Sequence, residues 1–265
     1  MSEATQESNT SVVDYLSTLI WDGTLRLDRW LIDCAGAEDT PHVRATSRTM
    51  LVAAVRRARD PGCRFDQLPV IEGPQGCGKS VALRVLAVED SWFTNDLWIG
   101  ADTRRIIEAT AGKWIVEASE LLLYAEVDED EDDEDDDEDD DESDESDGDD
   151  EDDEDEDDED DEDDEDEEPS PAAALKALLS RTHDEARMPY QRELTRVPRQ
   201  FVIVGTTGEA DYLVDAVGSR RIVPVHVRHF DLDRLRAIRD QLWAEAAVVE
   251  ATGQPIQLSP VTSPS

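Results

Sequence analysis

Several features that would place a protein in a common class are scarce in this sequence of 265 residues. Its three cysteines, Cys34, Cys63 and Cys77, have no CxxC or Cys/His spacing, so neither a disulfide framework nor a zinc site is predicted. No run approaches the ~18 apolar residues of a membrane-spanning helix. The N-terminal MSEATQESNTS lacks the basic and apolar segments of an export signal. These absences predict a cytoplasmic protein with no membrane contact.

Basic residues are also few, with 25 Lys and Arg against 68 Asp and Glu, and the formal net charge is −43. Most of this excess lies in residues 128–168, where 38 positions are acidic, none is basic, and the others are serine or glycine. Such a segment has no apolar side chains to bury and repels itself, so we expect a disordered insert. Outside it, 30 acids face 25 bases, which is ordinary for a folded domain.

Apolar runs alternate with helical patterns along the rest of the chain. Residues 12–59 have helical spacing that ends at Asp60-Pro61-Gly62. The runs LPVIEG (68–73), KWIVEASE (113–120) and QFVIVGTT (200–207) are typical of buried strands, and residues 231–253 of a final amphipathic helix. Buried strands that alternate with helices predict an α/β fold with a parallel sheet covered by helices.

Residues 73–80, GPQGCGKS, fit the phosphate-binding pattern G-x-x-x-x-G-K-[ST] between a strand and a helix. Gly73, Gly76 and Gly78 allow backbone N–H groups to close around phosphate oxygens. Lys79 is expected to meet the β- and γ-phosphates and Ser80 to bind Mg²⁺. A purely structural glycine turn is the alternative. The pattern predicts a P-loop NTPase that uses ATP and Mg²⁺.

Two acids follow the apolar residues of the second strand and are candidates for the metal site and for hydrolysis. Glu117 and Glu120 come where this strand is expected to end, and phosphoryl transfer needs a carboxylate there to hold the metal's water shell or to orient attacking water. We assign Glu117 to the metal and leave the division of catalytic roles between the two acids open. A helix-starting acid is the alternative for Glu120.

Further polar residues follow the later strands. Thr206 or Thr207 is placed to sense the γ-phosphate or to orient water, with Thr207 the preferred candidate and a strand-to-loop turn the alternative. Arg220 and Arg221 precede the apolar run IVPV. One of them is a candidate to reach the γ-phosphate of a neighbouring subunit, where it would stabilise transition-state charge. A surface ion pair is the alternative.

The order of these pieces resembles the virulence-associated protein E family, P-loop ATPases of phages and mobile islands that are similar to superfamily 3 helicases. Gly208 stands where the family usually has asparagine, the chain has no primase domain, and the acidic insert is foreign to the pattern. The resemblance is carried by DYLSTLIWDGTLRLDRWLIDCAGAEDTP (14–41), FDQLPVIEGPQGCGKSVALRVLA (65–87), GKWIVEASEL (112–121), LKALLSRTHDEARMPYQRELTRVPRQFVIVGTT (175–207) and GSRRIVPV (218–225).

This resemblance implies an AAA+/superfamily 3-like core, hydrolysis linked to DNA remodelling or unwinding, a homo-oligomeric ring, and a separate primase as partner. The alternative is a nucleotide-binding regulatory protein, or a truncated remnant, with weak or lost hydrolysis. The expected divisions are an N-terminal helical region (1–66), an ATPase core in two parts (67–127 and 169–230) around the insert (128–168), and a C-terminal helix and tail (231–265).

A basic segment between the second and third strands is the candidate DNA site. Helicases of the resembled type carry a DNA-contacting hairpin there, and Arg187, Tyr190 and Arg192 supply charge and a stacking ring for single- or double-stranded DNA. A basic loop paired with local acids is the alternative. The acidic insert (128–168) is then either inert solvated charge or an electrostatic competitor for this site.

Overall fold

A parallel five-stranded sheet forms the centre of the fold, as the alternating pattern predicts. The computed structural model describes residues 11–119, 171–189, 193–208 and 221–258. The strands are β1 (Leu68–Glu72), β2 (Phe93–Thr94), β3 (Ile115–Ser119), β4 (His183–Arg187), β5 (Leu194–Pro198), β6 (Val202–Thr207) and β7 (Ile222–His226). The parallel sheet has the order β2-β3-β6-β1-β7, and β4 and β5 form a separate antiparallel pair. The acidic insert lies outside the described residues.

Helices cover this sheet, and their ends follow local capping. The helices are α1 (Val12–Thr18), α2 (Trp30–Ala35), α3 (Pro41–Arg59), α4 (Lys79–Ala87), α5 (Thr103–Thr110), α6 (Pro171–Ser180) and α7 (Leu232–Ala251). The Asp231 side chain accepts the Arg234 N–H at the start of α7, and Gly253 follows its end with a φ of 73°. The expected final helix is therefore confirmed to within two residues at each end. None of the described helices combines the length and hydropathy that a bilayer-spanning segment requires.

The two faces of the sheet bury two different apolar clusters, because successive residues of a strand point to opposite sides. Ile71, Ile115 and Val204 lie in the cluster that includes side chains of α2, α3, α4 and α7. Val70 and Ile203 lie in the cluster that includes side chains of α5 and α6. The residue two positions after Ile115 is Glu117, so this carboxylate lies on the face that α4 covers.

The parallel arrangement brings the carboxyl ends of β1, β3, β6 and β7 to one edge. β1 pairs with β6 on one side, with Ile71 opposite Thr206, and with β7 on the other, with Glu72 opposite His226. Residues 73–80, which fit the phosphate-binding pattern and are named the phosphate loop, continue from Glu72. Residues that follow β6 and β7 therefore flank this loop. Ligands of open α/β sheets bind at this edge.

Two elements near the sheet's outer edge were not assigned from the sequence. β2 has only two residues, and it pairs with β3 through Phe93 opposite Ile115. α5 has eight residues and begins where Asp102 accepts the Arg105 N–H. A two-residue strand shows no recognisable alternation, because its pairing with β3 rather than its own pattern defines it.

Candidate functional site

The phosphate loop has the compact turn that its glycines predict. A Cβ at Gly73 would lie 2.7 Å from the Val227 carbonyl oxygen, which leaves no room for a side chain. Gly78 has a φ of +96°, and a Cβ there would lie 3.3 Å from the Phe230 Cβ. The first position therefore requires glycine because of a close neighbour, and the second mainly because of its left-handed backbone.

The amino end of α4 is open toward the loop. Gly78 is the N-cap and offers no side chain to the first N–H groups of the helix, so these donors are available to an anion. The Lys79 Nζ donates to the carbonyl oxygens of Gly73 at 2.6 Å and Pro74 at 3.0 Å. The ammonium thus lies across the loop, on two neutral acceptors that anionic phosphate oxygens can replace.

Glu117 is the central side chain of the site and is completely buried. Its Oε1 accepts hydrogen bonds from the Ser80 hydroxyl at 2.6 Å and from the Thr206 hydroxyl at 2.7 Å. Its Oε2 is buried and has no hydrogen-bond partner. A buried carboxylate oxygen without a donor is costly unless a cation or water completes it. This unsatisfied oxygen fits a Mg²⁺ site next to Ser80.

A cation at this position would take few ligands from the protein. No cluster of three His, Cys, Asp or Glu side chains suited to a metal occurs within the described ranges. Mg²⁺ commonly keeps several waters and binds through one or two protein oxygens together with substrate phosphates. Ser80 and Glu117 would be sufficient for that arrangement, and their assignment to the metal stays a prediction.

The structure places Glu117 differently from the expected strand end. It is the middle residue of β3 and pairs with Val204, because the strand continues through Ala118 to Ser119. Ala118 belongs to the apolar cluster on the opposite face, so the residue adjacent to Glu117 adds no second carboxylate. The other sequence candidate, Glu120, lies outside the described residues.

Of the two threonines at the end of β6, Thr206 is the one that contacts Glu117. Register decides this, because Ser119 lies opposite Thr206, and residues 117 and 206 point to the α4 face. Thr207, the candidate preferred from the sequence, is the next residue in the strand and therefore points to the other face. Its carbonyl oxygen accepts the Gly73 N–H at 3.1 Å, which joins β6 to the start of the phosphate loop.

Of the two candidate arginines, Arg221 lies just before β7, at the end of the sheet opposite to the phosphate loop. Arg221 accepts the Leu68 N–H at its carbonyl, and its Nη1 donates to the Lys176 carbonyl oxygen at 3.0 Å. Arg220 lies outside the described residues. Arg221 therefore does not lie at the phosphate loop of its own subunit, and its action on a neighbouring subunit stays a prediction.

The basic segment contains an antiparallel hairpin, in which Arg187 pairs with Leu194 at its outer end. Arg187 is exposed, whereas Tyr190 and Arg192, which follow β4 in the sequence, lie outside the described residues. At the base of the hairpin, Arg199 and Asp184 form a buried bidentate ion pair with both contacts at 2.6 Å. Arg199 therefore anchors the hairpin and does not add to its surface charge.

The sequence analysis missed the segment after β7, which supports the phosphate loop. Val227 N–H donates to the Glu72 carbonyl oxygen at 2.7 Å, and Phe230 N–H donates to the Cys77 carbonyl oxygen at 2.9 Å. The apolar run IVPV predicted a strand, but only the parallel pairing of β7 with β1 brings the following residues to the loop.

Comparisons with known proteins give a family and a distant structural likeness. Among solved structures, the apo A form of the NrS-1 C-terminal region matches with a TM-score of 0.49 and 10% identity. The match covers 88% of this chain but only 48% of that chain, so the present chain spans about half of its length. A comparison with curated proteins gave no match.

The family comparison covers both parts of the core. The family model of the virulence-associated protein E-like domain matches residues 16–131 and 165–262, which is most of the chain. The match includes the phosphate loop, Glu117, the hairpin and the segment after β7, and it leaves out residues 132–164 of the acidic insert. The resemblance inferred from the sequence is confirmed: the chain belongs to the virulence-associated protein E-like domain family.

Proposed function

We propose that this chain is a Mg²⁺-dependent ATPase whose hydrolysis drives the remodelling or unwinding of DNA during replication of a phage or other mobile element. The observation that carries the proposal is the 2.6 Å hydrogen bond between Ser80 and Glu117, which joins the two expected metal ligands at the phosphate loop. Family membership supports it, since the resemblance implies this activity.

Each residue of the site has a defined task in this proposal. The N–H groups at the start of α4 bind phosphate oxygens, aided by the positive end of the helix dipole. The Lys79 ammonium leaves the carbonyls of Gly73 and Pro74 and contacts the β- and γ-phosphates, where negative charge develops. Ser80 and the free oxygen of Glu117 hold Mg²⁺, which when bound neutralises charge on the same two phosphates.

Attack by water needs a group that orients the water and accepts its proton. We assign this task to Glu120, the second acid of this segment. Ala118, which is next to Glu117 in β3, has no group that could do so. Thr206 keeps the Glu117 carboxylate in one orientation through its 2.7 Å hydrogen bond. The assignment of γ-phosphate sensing to Thr207 stays a prediction.

The hairpin of β4 and β5 is the proposed DNA site. Arg187 is exposed at its outer end, and Tyr190 and Arg192 follow in the sequence between β4 and β5. Arginine contacts to phosphates and a stacking ring suit single-stranded DNA without sequence preference. The buried pair of Asp184 and Arg199 gives this hairpin a rigid base on which force can act.

The proposal extends to assembly. Arg220 or Arg221 of one subunit would complete the phosphate site of the next, which requires a homo-oligomeric ring. A separate primase as partner is implied by the family resemblance. Both points rest on the family resemblance, and an increase of specific activity with protein concentration is the sign of action between subunits.

A second candidate function is favoured by one observation at the site. The Oε1 of Glu117 already accepts hydrogen bonds from Ser80 and Thr206, which suits a carboxylate that positions a metal better than one that takes a proton from water. Such a site suits nucleotide binding with slow hydrolysis. The alternative is therefore a nucleotide-binding regulatory protein, whose bound nucleotide rather than its turnover carries the signal.

The rate of ATP hydrolysis with and without single-stranded DNA tests this proposal. We expect turnover that needs Mg²⁺, rises with DNA and disappears in Lys79→Ala, because this variant lacks the charge that meets the developing negative charge. Lys113→Ala is the matched control. Lys113 comes just before β3, at the end of the sheet opposite to the phosphate loop, and its ammonium donates to the Ser91 carbonyl oxygen. Control turnover should equal that of the wild type.

Three outcomes are distinguishable. Turnover in Lys79→Ala close to that of the wild type would remove the phosphate-site assignment. Tight nucleotide binding with negligible turnover would favour the regulatory function. Turnover that DNA does not change would separate hydrolysis from the DNA role assigned to the hairpin.

A further inference from the structure

Residues 228 and 229 lie beside the phosphate loop and are not used by the site described above. Backbone hydrogen bonds hold the residues on either side of this pair. The Val227 N–H donates to the Glu72 carbonyl oxygen, and the Phe230 N–H donates to the Cys77 carbonyl oxygen. Val227 and Phe230 are buried, whereas Arg228 and His229 are exposed. The segment thus runs along the loop with its ends fixed and two basic side chains directed to solvent.

The backbone of this pair is also fixed on its other side. The N–H groups of Arg228 and His229 both donate to the Ala35 carbonyl oxygen, at 2.9 Å and 3.3 Å, at the end of α2. The stem of Arg228 lies over Gly36, where an added Cβ would be 3.4 Å from the Arg228 Cβ and 3.7 Å from its Cδ. Gly36 therefore leaves room for the arginine stem to extend across the end of α2.

The order of the strands shows which end of a nucleotide would face this pair. The metal ligand Glu117 is on β3, and β6 and β1 separate it from β7. A Mg²⁺ held by Ser80 and Glu117 would offset charge near the γ-phosphate, so the γ-phosphate would lie on the β3 side of the loop. The α-phosphate and ribose then extend to the other side of β1, where the residues after β7 lie.

The charge of Arg228 is available at this position. Across the described ranges, no carboxylate forms an ion pair with Arg228. The nearby Asp33 is engaged by Arg29 at 3.4 Å and Arg234 at 3.7 Å. The Asp231 side chain accepts the Arg234 N–H as the cap of α7. The acids near the pair are thus occupied with other partners.

We propose that Arg228 binds the nucleotide of its own subunit at the α-phosphate and ribose, with His229 beside it. The inference rests on the proposed function, because it takes the phosphate loop as a nucleotide site. It adds a second cationic side chain to that site besides Lys79. Arg228 follows β7, whereas Arg221 precedes it, so the two arginines lie at opposite ends of this strand. Arg228 is a binding residue for the nucleoside end and takes no part in metal binding.

Binding measurements on the full chain with three probes test the inference. The probes are MgADP and MgATP, which carry the α-phosphate and ribose, and inorganic pyrophosphate, which fills the β and γ positions alone. Arg228→Ala should weaken both nucleotides by about tenfold, as expected for one charge-assisted hydrogen bond. Pyrophosphate affinity should stay within about twofold, and Arg228→Lys should recover part of the nucleotide affinity.

The control is Arg104→Ala, since Arg104 is a similarly exposed arginine on α5, paired at 4.0 Å with Glu108. It should bind all three probes as the wild type does. Unchanged nucleotide affinity in Arg228→Ala, or an equal loss for pyrophosphate, would overturn the inference alone. A wild-type chain that binds no nucleotide would overturn the proposed function, and this inference with it.

Discussion

Two buried carboxylates in this protein, Asp184 and Glu117, differ in how many of their oxygens have a hydrogen-bond partner. This difference distinguishes a structural residue from a candidate metal ligand. Both oxygens of Asp184 contact the Arg199 guanidinium at 2.6 Å, and both side chains are nearly inaccessible. Glu117 has two hydroxyl donors on one oxygen and none on the other. A fully satisfied pair stabilises one geometry, whereas an incompletely satisfied acid is ready for a further partner.

The Asp184–Arg199 pair leads to a prediction about stability. Asp184→Ala should lower the free energy of unfolding by about 3–5 kcal/mol, because it leaves the Arg199 charge buried without its partner. The matched control is Arg196→Ala in the same hairpin, since the pair of Arg196 with Glu185 is exposed and should contribute less than about 1 kcal/mol. Urea unfolding measures both. Equal small losses in the two variants would show that the buried pair does not anchor the hairpin.

At the scale of elements, the loop before α2 is held against α7 by one carboxylate. Glu245 is 3% exposed, and its Oε2 accepts the N–H groups of Arg26 at 2.7 Å and Leu27 at 2.9 Å. Burial raises the pKa of Glu245 above its ordinary value of 4.5, and the two backbone donors oppose this only in part. The two hydrogen bonds fix the position of the Glu245 carboxylate, but burial disfavours its ionised form.

This raised pKa gives a prediction with a definite sign. An acid whose pKa is higher in the folded state stabilises the fold below its ordinary pKa and loses that contribution as pH rises through the folded pKa. Glu245→Gln keeps an oxygen acceptor and removes the ionisation. The stability of this variant relative to the wild type should therefore increase from about pH 5 toward pH 7 in urea unfolding experiments. A difference that is independent of pH would contradict the assignment.

At the scale of the whole molecule, charge is distributed very unevenly. The acidic insert carries 38 of the 68 acids, and the family match omits residues 132–164 within it. The insert follows the segment of β3 and Glu117 in the chain and precedes α6 and the hairpin. This position allows it to be either inert charge or a tethered competitor for the DNA site, since a run of carboxylates resembles the nucleic-acid backbone in charge.

Deletion of residues 128–168 distinguishes these two roles. If the insert competes, the deletion should strengthen single-stranded DNA binding most at low salt, because the Debye length falls from about 10 Å at 0.1 M to about 3 Å at 1 M. The salt dependence should also become steeper as phosphates replace tethered carboxylates. A chain with a Gly/Ser linker of equal length is the control. Unchanged affinity and salt slope in a folded protein would leave the insert as solvated charge.

The sequence by itself determined the parts of this protein that are encoded in neighbouring residues. The eight residues from Gly73 to Ser80 specify their own turn, because glycines are required at fixed positions and an apolar strand precedes them. The buried strands and the final helix follow from their periodicity in the same way. Family membership also follows from contiguous segments, and the family match confirms it. These features depend on local conformation, which a short window of sequence contains.

Only the tertiary structure decided which side chains meet. Register between β3 and β6 brings Thr206 rather than Thr207 to Glu117, and a shift of one residue would reverse that choice. Parallel pairing of β7 with β1 sends Arg221 to one edge of the sheet and Arg228 to the phosphate loop. Spacing along the chain contains no information on either, because the contacts join residues that lie far apart in sequence and depend on the alignment of whole strands.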